Sequence, residues 1–462
     1  MPLTDAVVLK NWIPTPGGLK QSPGVAVHAT SSAGKVCTLM EYAPPGGTAA
    51  LFAAIGTDIY NVTSAGAIGA SVYGSGALTT PYFSHTMQTS AAVSVLYLVN
   101  GSDAPVYWDG STWTNPAITG VNENTFVTVT NHKNRLWFSV GTLLVWYLPN
   151  NAVAGAATSF DLGPLAKRGG HVVNIATWTR DGGLGPDDYI VFLTSKGEAI
   201  VYAGTDPSSA STWGLVGTYQ LPPPIGNRCM LRVGADLVVM TSRGLVPMST
   251  TMTLAESGQA SAALTAKIAP TFESSATSLP TAPNWQLIEW PKERLLICNV
   301  PLVSNSASQQ FAMHTETMGW CNLRLEDTGL CLGVFGSDLY MGTTNGDVWK
   351  FTGAVIDGGT GVSSDVMFAY QAPGGTKRVT MGRAVMNAPS TFVPQVYLQT
   401  DYDTTFTSTI STYSGAASPT QIAKWVVTTG YGHTFAPLVR VTSDTQLTLY
   451  RVDLIYQEGG PL

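Results

Sequence analysis

The chain has 462 residues, with 29 Asp and Glu against 23 Lys and Arg, a formal charge of −6 and a charged share of 11%, less than half the roughly 25% of an average soluble domain. No basic cluster occurs along it, which argues against binding that tracks a phosphate backbone. Cys37, Cys229, Cys298, Cys321 and Cys331 are widely spaced with no C-x-x-C pair, which argues against a disulfide framework or a zinc site and for buried thiols.

The chain opens on an extended, turn-rich segment, VVLKNWIPTPGGLKQSPGVAVHA over residues 7–29. It has no charged n-region followed by an apolar h-region, and no run in the chain approaches the roughly 20 apolar residues of a membrane span. The expectation is a soluble chain made in a reducing cytoplasm. The arm, residues 1–30, either closes a sheet as a strand or lies across a neighbouring subunit.

From there one pattern recurs: a short apolar strand, a tight polar turn, and a second strand carrying an aromatic. Turns are predicted at Gly56-Thr57-Asp58, Asn100-Gly101, Gly141, Lys196-Gly197, Arg243-Gly244, Gly336-Ser337-Asp338 and Asn345-Gly346-Asp347. Glycine between apolar strands is a strong hairpin signal because such turns need positive φ. Hairpins every 35 to 60 residues or so are the spacing of propeller blades. One stretch breaks the pattern: residues 259–268 are Ala-rich and read as a helix, with Pro270 as its stop.

After Phe351 the texture changes. Residues 352–365 form a Gly/Ser-rich link, and six alternating strands follow up to residue 455. The fold class expected is all-β: a β-propeller of six or seven degenerate blades with a small helical insertion and a C-terminal β-sandwich-like domain. The divisions are an arm over 1–30, a propeller over 31–359 with the helical insertion near 255–270, and a β-rich domain over 360–462.

Chemistry is scarce. The G-x-S-x-G, H-E-x-x-H, Walker and dinucleotide fingerprints do not occur, and the six histidines form no i, i+4 pair. Asp181, Asp187 and Asp188 in one loop, and Asp401 and Asp403 in another, could supply only part of a calcium shell and read better as turn formers. A sialidase box fails because Asp109 sits directly against Gly110 in YWDGSTW, and sequence cannot pair two carboxylates at glycosidase spacing. No catalytic residue, metal or cofactor is indicated, and the expectation is a protein that is not an enzyme.

Asn11–Gly24 (NWIPTPGGLKQSPG), the hairpin LFAAIGTDIYNVT, the stretch from Leu96 to Trp113 and the segment from Ser261 to Pro270 occur in an order that resembles tail nozzle proteins of short-tailed bacteriophages. That family is also called tail tubular protein B, or packaged-DNA stabilisation protein. The chain departs from it in having Gln21-Ser22 where a charged residue often precedes the Pro-Gly turn, and in lacking the large insertions of longer members. The resemblance implies a structural virion protein in the phage tail, made in the host cytoplasm. It implies a homo-oligomeric ring, a hexamer, below the portal and adaptor complex, with a tail fibre, spike or needle protein as distal partner. Genomic double-stranded DNA would be retained and then ejected through the ring without sequence-specific binding. Candidate interface residues are Asn11, Trp12, Pro14 and Lys20 of the arm, and Lys267 and Ile268 of the helix. The alternative is a carbohydrate-binding or carbohydrate-cleaving propeller, a depolymerase or lectin-like module, using Trp113, Trp146, Trp178 and Trp213 as sugar platforms.

Overall fold

The computed structural model describes residues 5–31, 34–89, 94–181, 186–323, 329–353, 356–357, 360–388, 394–403, 411–412, 420–422 and 425–458. Residues 354–355 and 358–359 of the expected link, and 423–424 of an expected strand, lie outside them. Every turn expected between the propeller hairpins forms, each with a glycine at positive φ. Gly197 shows why no other residue serves: its φ is +78°, and a Cβ there would lie 2.1 Å from the Leu221 carbonyl oxygen.

The hairpins build seven antiparallel sheets. The first holds Val36–Tyr42, Ala50–Ile55 and Asp58–Asn61. The second runs from Ser84–Thr89 to Trp113–Thr114, the third from Thr128–His132 to Thr158–Asp161, and the fourth from Val172–Asp181 to Trp213–Gln220. The fifth has three strands, Met230–Val233, Asp236–Thr241 and Gly244–Pro247; the sixth runs from Gln286–Trp290 to Trp320–Leu323. The seventh holds Gly329–Phe335, Asp338–Thr343 and Val348–Phe351.

The first strand of each sheet is innermost, and polar groups tie each sheet to the next. Thr38 Oγ1 donates to Pro81 O (2.7 Å), Val129 N to Ser84 Oγ (3.1 Å), and Thr130 Oγ1 to Ile175 O. Asn174 Nδ2 donates to Asn227 O (2.8 Å), Arg228 to Pro283 O (2.8 Å), and Gln286 Nε2 to Leu332 O (2.8 Å). Cys331 Sγ, 3.4 Å from Val36 O, returns to the first sheet. An apolar cluster fills each gap: Met40, Phe52 and Leu96 in the first, Phe126 and Phe138 in the second, Trp137 and Phe192 in the third. Residues from the fourth, fifth and sixth sheets share one large core, and further clusters join the sixth to the seventh and the seventh to the first. The result is a closed seven-bladed β-propeller, since a blade exposes both apolar faces until it stacks on its neighbours.

The arm completes two structures at once. Strand β1 (Ala6–Lys10) runs between the outer strand of the sixth blade and Thr360–Phe368. Strands β2 (Trp12–Thr15) and β3 (Gly18–Gln21) form a hairpin that pairs with Thr448–Glu458. Strand β4 (Val25–Thr30) is the outer strand of the seventh blade, antiparallel to Val348–Phe351.

The C-terminal part is a sandwich. Thr360–Phe368, Phe435–Ser443 and Gln395–Thr400 make one face. Lys377–Ala388, Thr448–Glu458 and Val426–Gly432 make the other. Between them lie Val366, Met386, Val396, Val439, Leu449 and Trp12. Trp12 is 0% exposed. The arm is thus held within its own subunit, with its indole a core residue of the sandwich.

The helical insertion also differs from its expected form. Two short helices, α1 (Met248–Thr251) and α2 (Glu256–Gln259), precede α3 (Ala269–Ser278), and residues 259–268 do not form one helix. Pro270 opens α3 rather than stopping a helix before it. Proline fits the first turn because its missing N–H would have no intrahelical acceptor there.

Candidate functional site

Three places gather functional side chains. The first is the central channel, a cavity of about 520 Å³ to which all seven blades contribute. Its lining includes Glu41, His85, Asn131, Arg228 and Arg232. Enclosure by the channel walls, helped by the nearby charge of Arg228, holds the His85 imidazole down to about 4, even though its side chain is open to the lumen. Burial pushes the Cys331 thiol up to about 12, and Cys37 and Tyr82 beside it are raised for the same reason. No local pattern marks this assembly, because its members are gathered from several different blades.

The second place is a cleft of about 780 Å³ at the outer edge of the second blade, lined by Tyr73, Leu78, Asp103, Trp108 and Trp113. Trp108 and Trp113 are register partners whose ring centroids lie 5.3 Å apart, with Phe52 edge-on behind both. The turn between them is fixed by Asp109, which accepts from Ser111 N and Thr112 N, each at 2.7 Å, and from both hydroxyls. Burial opposes ionisation there, but these bonds together bring the carboxyl down to about 2. Asp103 is likewise occupied, accepting from Thr79 N (2.9 Å), Thr79 Oγ1 (2.6 Å) and Asn100 Nδ2 (2.7 Å). A general acid needs a raised carboxyl, and Asp103 is lowered: its hydrogen bonds outweigh the burial that opposes ionisation. The cleft has the aromatic faces of a binding surface and no poised proton donor in Asp103. Of the other expected platforms, Trp178 and Trp213 are buried core residues and Trp146 packs between blades.

The third place is the junction of arm, insertion and sandwich. Pro14, Lys267 and Ile268 line one small cavity of about 170 Å³ with Asp5, Leu9 and Trp320. Lys267 is paired with Asp5 at 2.7 Å and Lys20 with Glu293 at 2.7 Å. Asn11 is 2% exposed and donates through Nδ2 to Ser363 O at 2.9 Å. Asn11 and Trp12 thus face their own chain and offer no surface to a neighbour. These contacts span more than 250 positions, which local pattern cannot reveal.

Asp401 ties a turn, with Oδ1 accepting from His433 N and Thr434 N, each at 2.8 Å. The side chains of Asp181 and Asp187 lie outside the described residues. Among the described residues, no group of three or more His, Cys, Asp or Glu converges as a metal site, and no helix is long and apolar enough to cross a membrane.

The surface carries one further feature. On the outer sheet of the sandwich, Met381 pairs with Val427 on one side and Ile455 on the other. Direct partners share a face, so the three form a cross-strand apolar row, with Val427 57% and Ile455 39% exposed. Tyr431 and Tyr456 are exposed on the same strands, and Arg383 stacks over the Trp425 ring at 4.5 Å.

No protein-family model matches the chain, and no curated protein does. Among solved structures it is similar to PorZ, a surface component of the type-IX secretion system of Porphyromonas gingivalis, at 13% identity and a TM-score of 0.41. That match covers 70% of this chain and 37% of PorZ, so the chain corresponds to little more than a third of that protein. It is also similar to BBS1N in complex with ARL6DN, at 14% identity and a TM-score of 0.41, covering 75% of this chain and 98% of that one. The computationally designed protein Ika8 matches at 9% identity and a TM-score of 0.39, covering 70% and 98%.

Proposed function

We propose that the chain is a structural protein that assembles with copies of itself, and more specifically a tail nozzle subunit of a short-tailed phage. In that role six copies would form a ring below portal and adaptor, hold packaged DNA and pass it at infection. The observation that carries the assembly reading is the exposed row Val427–Met381–Ile455, with Tyr431 exposed further along the Val427 strand. Contiguous apolar surface of this kind marks interaction sites. A ring of one chain needs a heterologous interface that closes by rotation, and a sandwich face on one side of the propeller can meet a different surface of the next copy. The nozzle reading rests in addition on the order of arm, hairpin and insertion motifs. The mechanism is geometric and electrostatic: the axial channel of the ring, distinct from the propeller lumen and lined by copies of a chain of net charge −6, lets DNA slide without adhering.

Negative-stain microscopy of the purified chain, alone and mixed with portal and adaptor rings, tests both levels. Rings with a central hole are expected, docking below the adaptor, and a Val427→Glu/Ile455→Glu double variant should leave single subunits. Wild-type monomers that ignore those rings would overturn the proposal.

A second reading is favoured by the Trp108–Trp113 cleft, whose paired, mutually tilted indoles and flanking hydroxyls suit a glycan. In that reading the chain is a lectin-like module. A monomer that binds or cleaves polysaccharide would select it over the ring.

A further inference from the structure

Among the described residues no carboxylate pairs with Arg228. Arg228 stands just before the innermost strand of the fifth blade and lines the central channel. One amino group donates to Pro283 O at 2.8 Å, anchoring the side chain across the gap to the sixth blade. That uses one of five N–H donors. The groups whose charge acts on Arg228 are Cys331, Tyr82 and Cys37, all weak acids raised by burial and neutral at pH 7. Glu41 is the one acid among the lining residues; it accepts the Gly336 N–H at 2.9 Å and is not among the groups acting on Arg228. His85, on the second blade, is exposed to the same lumen.

A cation fixed in a confined space with no anion opposite it is costly unless a ligand supplies one. We propose that the propeller channel is a binding site for a compact oxyanion, a carboxylate or phosphate group, gripped by the guanidinium fork of Arg228 with the His85 ring N–H as a second donor. A planar fork matches two oxygens of either group. The volume, about 520 Å³, lies within the range of small-molecule sites, and the lumen is concave and preformed as such sites are. Ser84, Asn131 and Thr177 add polar groups to a wall that is otherwise largely apolar, with Leu39, Val129, Leu287 and Val334 among its residues. This site is separate from the sandwich face, so it stands or falls independently of the assembly reading.

Calorimetric titration of the full chain with inorganic phosphate, and separately with acetate, tests it. Saturable binding of at least one is expected, and the preferred ion identifies which headgroup the site takes. Arg228→Lys keeps the charge and loses the fork, so affinity should fall about tenfold or more. Arg228→Met should abolish binding. If that variant does not fold, Arg228→Lys and His85→Gln carry the comparison. No saturable binding of either ion up to roughly 10 mM, or affinity unchanged in both Arg228→Lys and His85→Gln, would overturn the proposal.

Discussion

His132 sits on the innermost strand of the third blade, 2% exposed, with Nδ1 3.1 Å from Thr177 Oγ1 and its ring edge-on to Trp213. Burial lowers its pKa from 6.5 to about 4; the neighbouring Lys133 adds to this and Asp188 opposes it. The folded state therefore holds the neutral ring, whereas the unfolded chain takes up a proton near pH 6.5. Above that pH the two states bind equally and nothing is lost. Between pH 6.5 and 4 the unfolded chain binds the extra proton, and stability falls by about 1.4 kcal/mol per pH unit from this residue. Carboxylates with lowered pKa values, such as Asp109, act in the same direction at lower pH, so a variant is needed to isolate the histidine. Urea midpoints for wild type and His132→Asn at pH 7 and pH 5 should show the variant losing about 2 kcal/mol less on acidification. Parallel losses would mean that His132 is already free to protonate in the folded state.

At the scale of elements, what the sequence shows and hides follows from distance along the chain. Hairpins are legible because their cause is local: an Asn-Gly or lone glycine at positive φ between two apolar runs, as at Gly101 and Gly244. The alternating strands of the sandwich are legible for the same reason. The fate of the arm is not, since Trp12 finds its partners at Val366, Met386 and Leu449, and nothing near Trp12 encodes them. Nor is the channel legible, because Arg228, His85 and Cys331 meet only when the ring closes. Pro270 was ambiguous in a different way, as proline both ends helices and begins them. Its position at the start of α3 makes a prediction. Pro270→Ala removes no packing partner among the core residues and restores an N–H that a first turn does not need. Stability should change by no more than about 0.5 kcal/mol, read by chemical denaturation. A loss of several times that would mean the proline holds the entry to the helix.

The whole molecule behaves as one body because its arm is divided between both parts. β1 bridges the sixth blade and the sandwich, β2–β3 extends the outer sandwich sheet, and β4 closes the seventh blade. Blades six and seven and one sandwich face thus belong to a continuous fifteen-stranded sheet. Opening the sandwich withdraws Trp12 and frees the arm, and a freed arm uncovers the edge of the seventh blade, so the ring loses its closure. Propeller and sandwich should therefore melt in a single calorimetric transition, with calorimetric and van't Hoff enthalpies in agreement. Trp12→Ala removes a fully buried indole and should cost about 3 to 5 kcal/mol. The variant discriminates between coupled and independent domains. If they are coupled, the single transition moves down in temperature as a whole. If they are independent, a lower transition separates from an unshifted propeller peak, and the arm is an accessory to the sandwich rather than the strap that joins it to the ring.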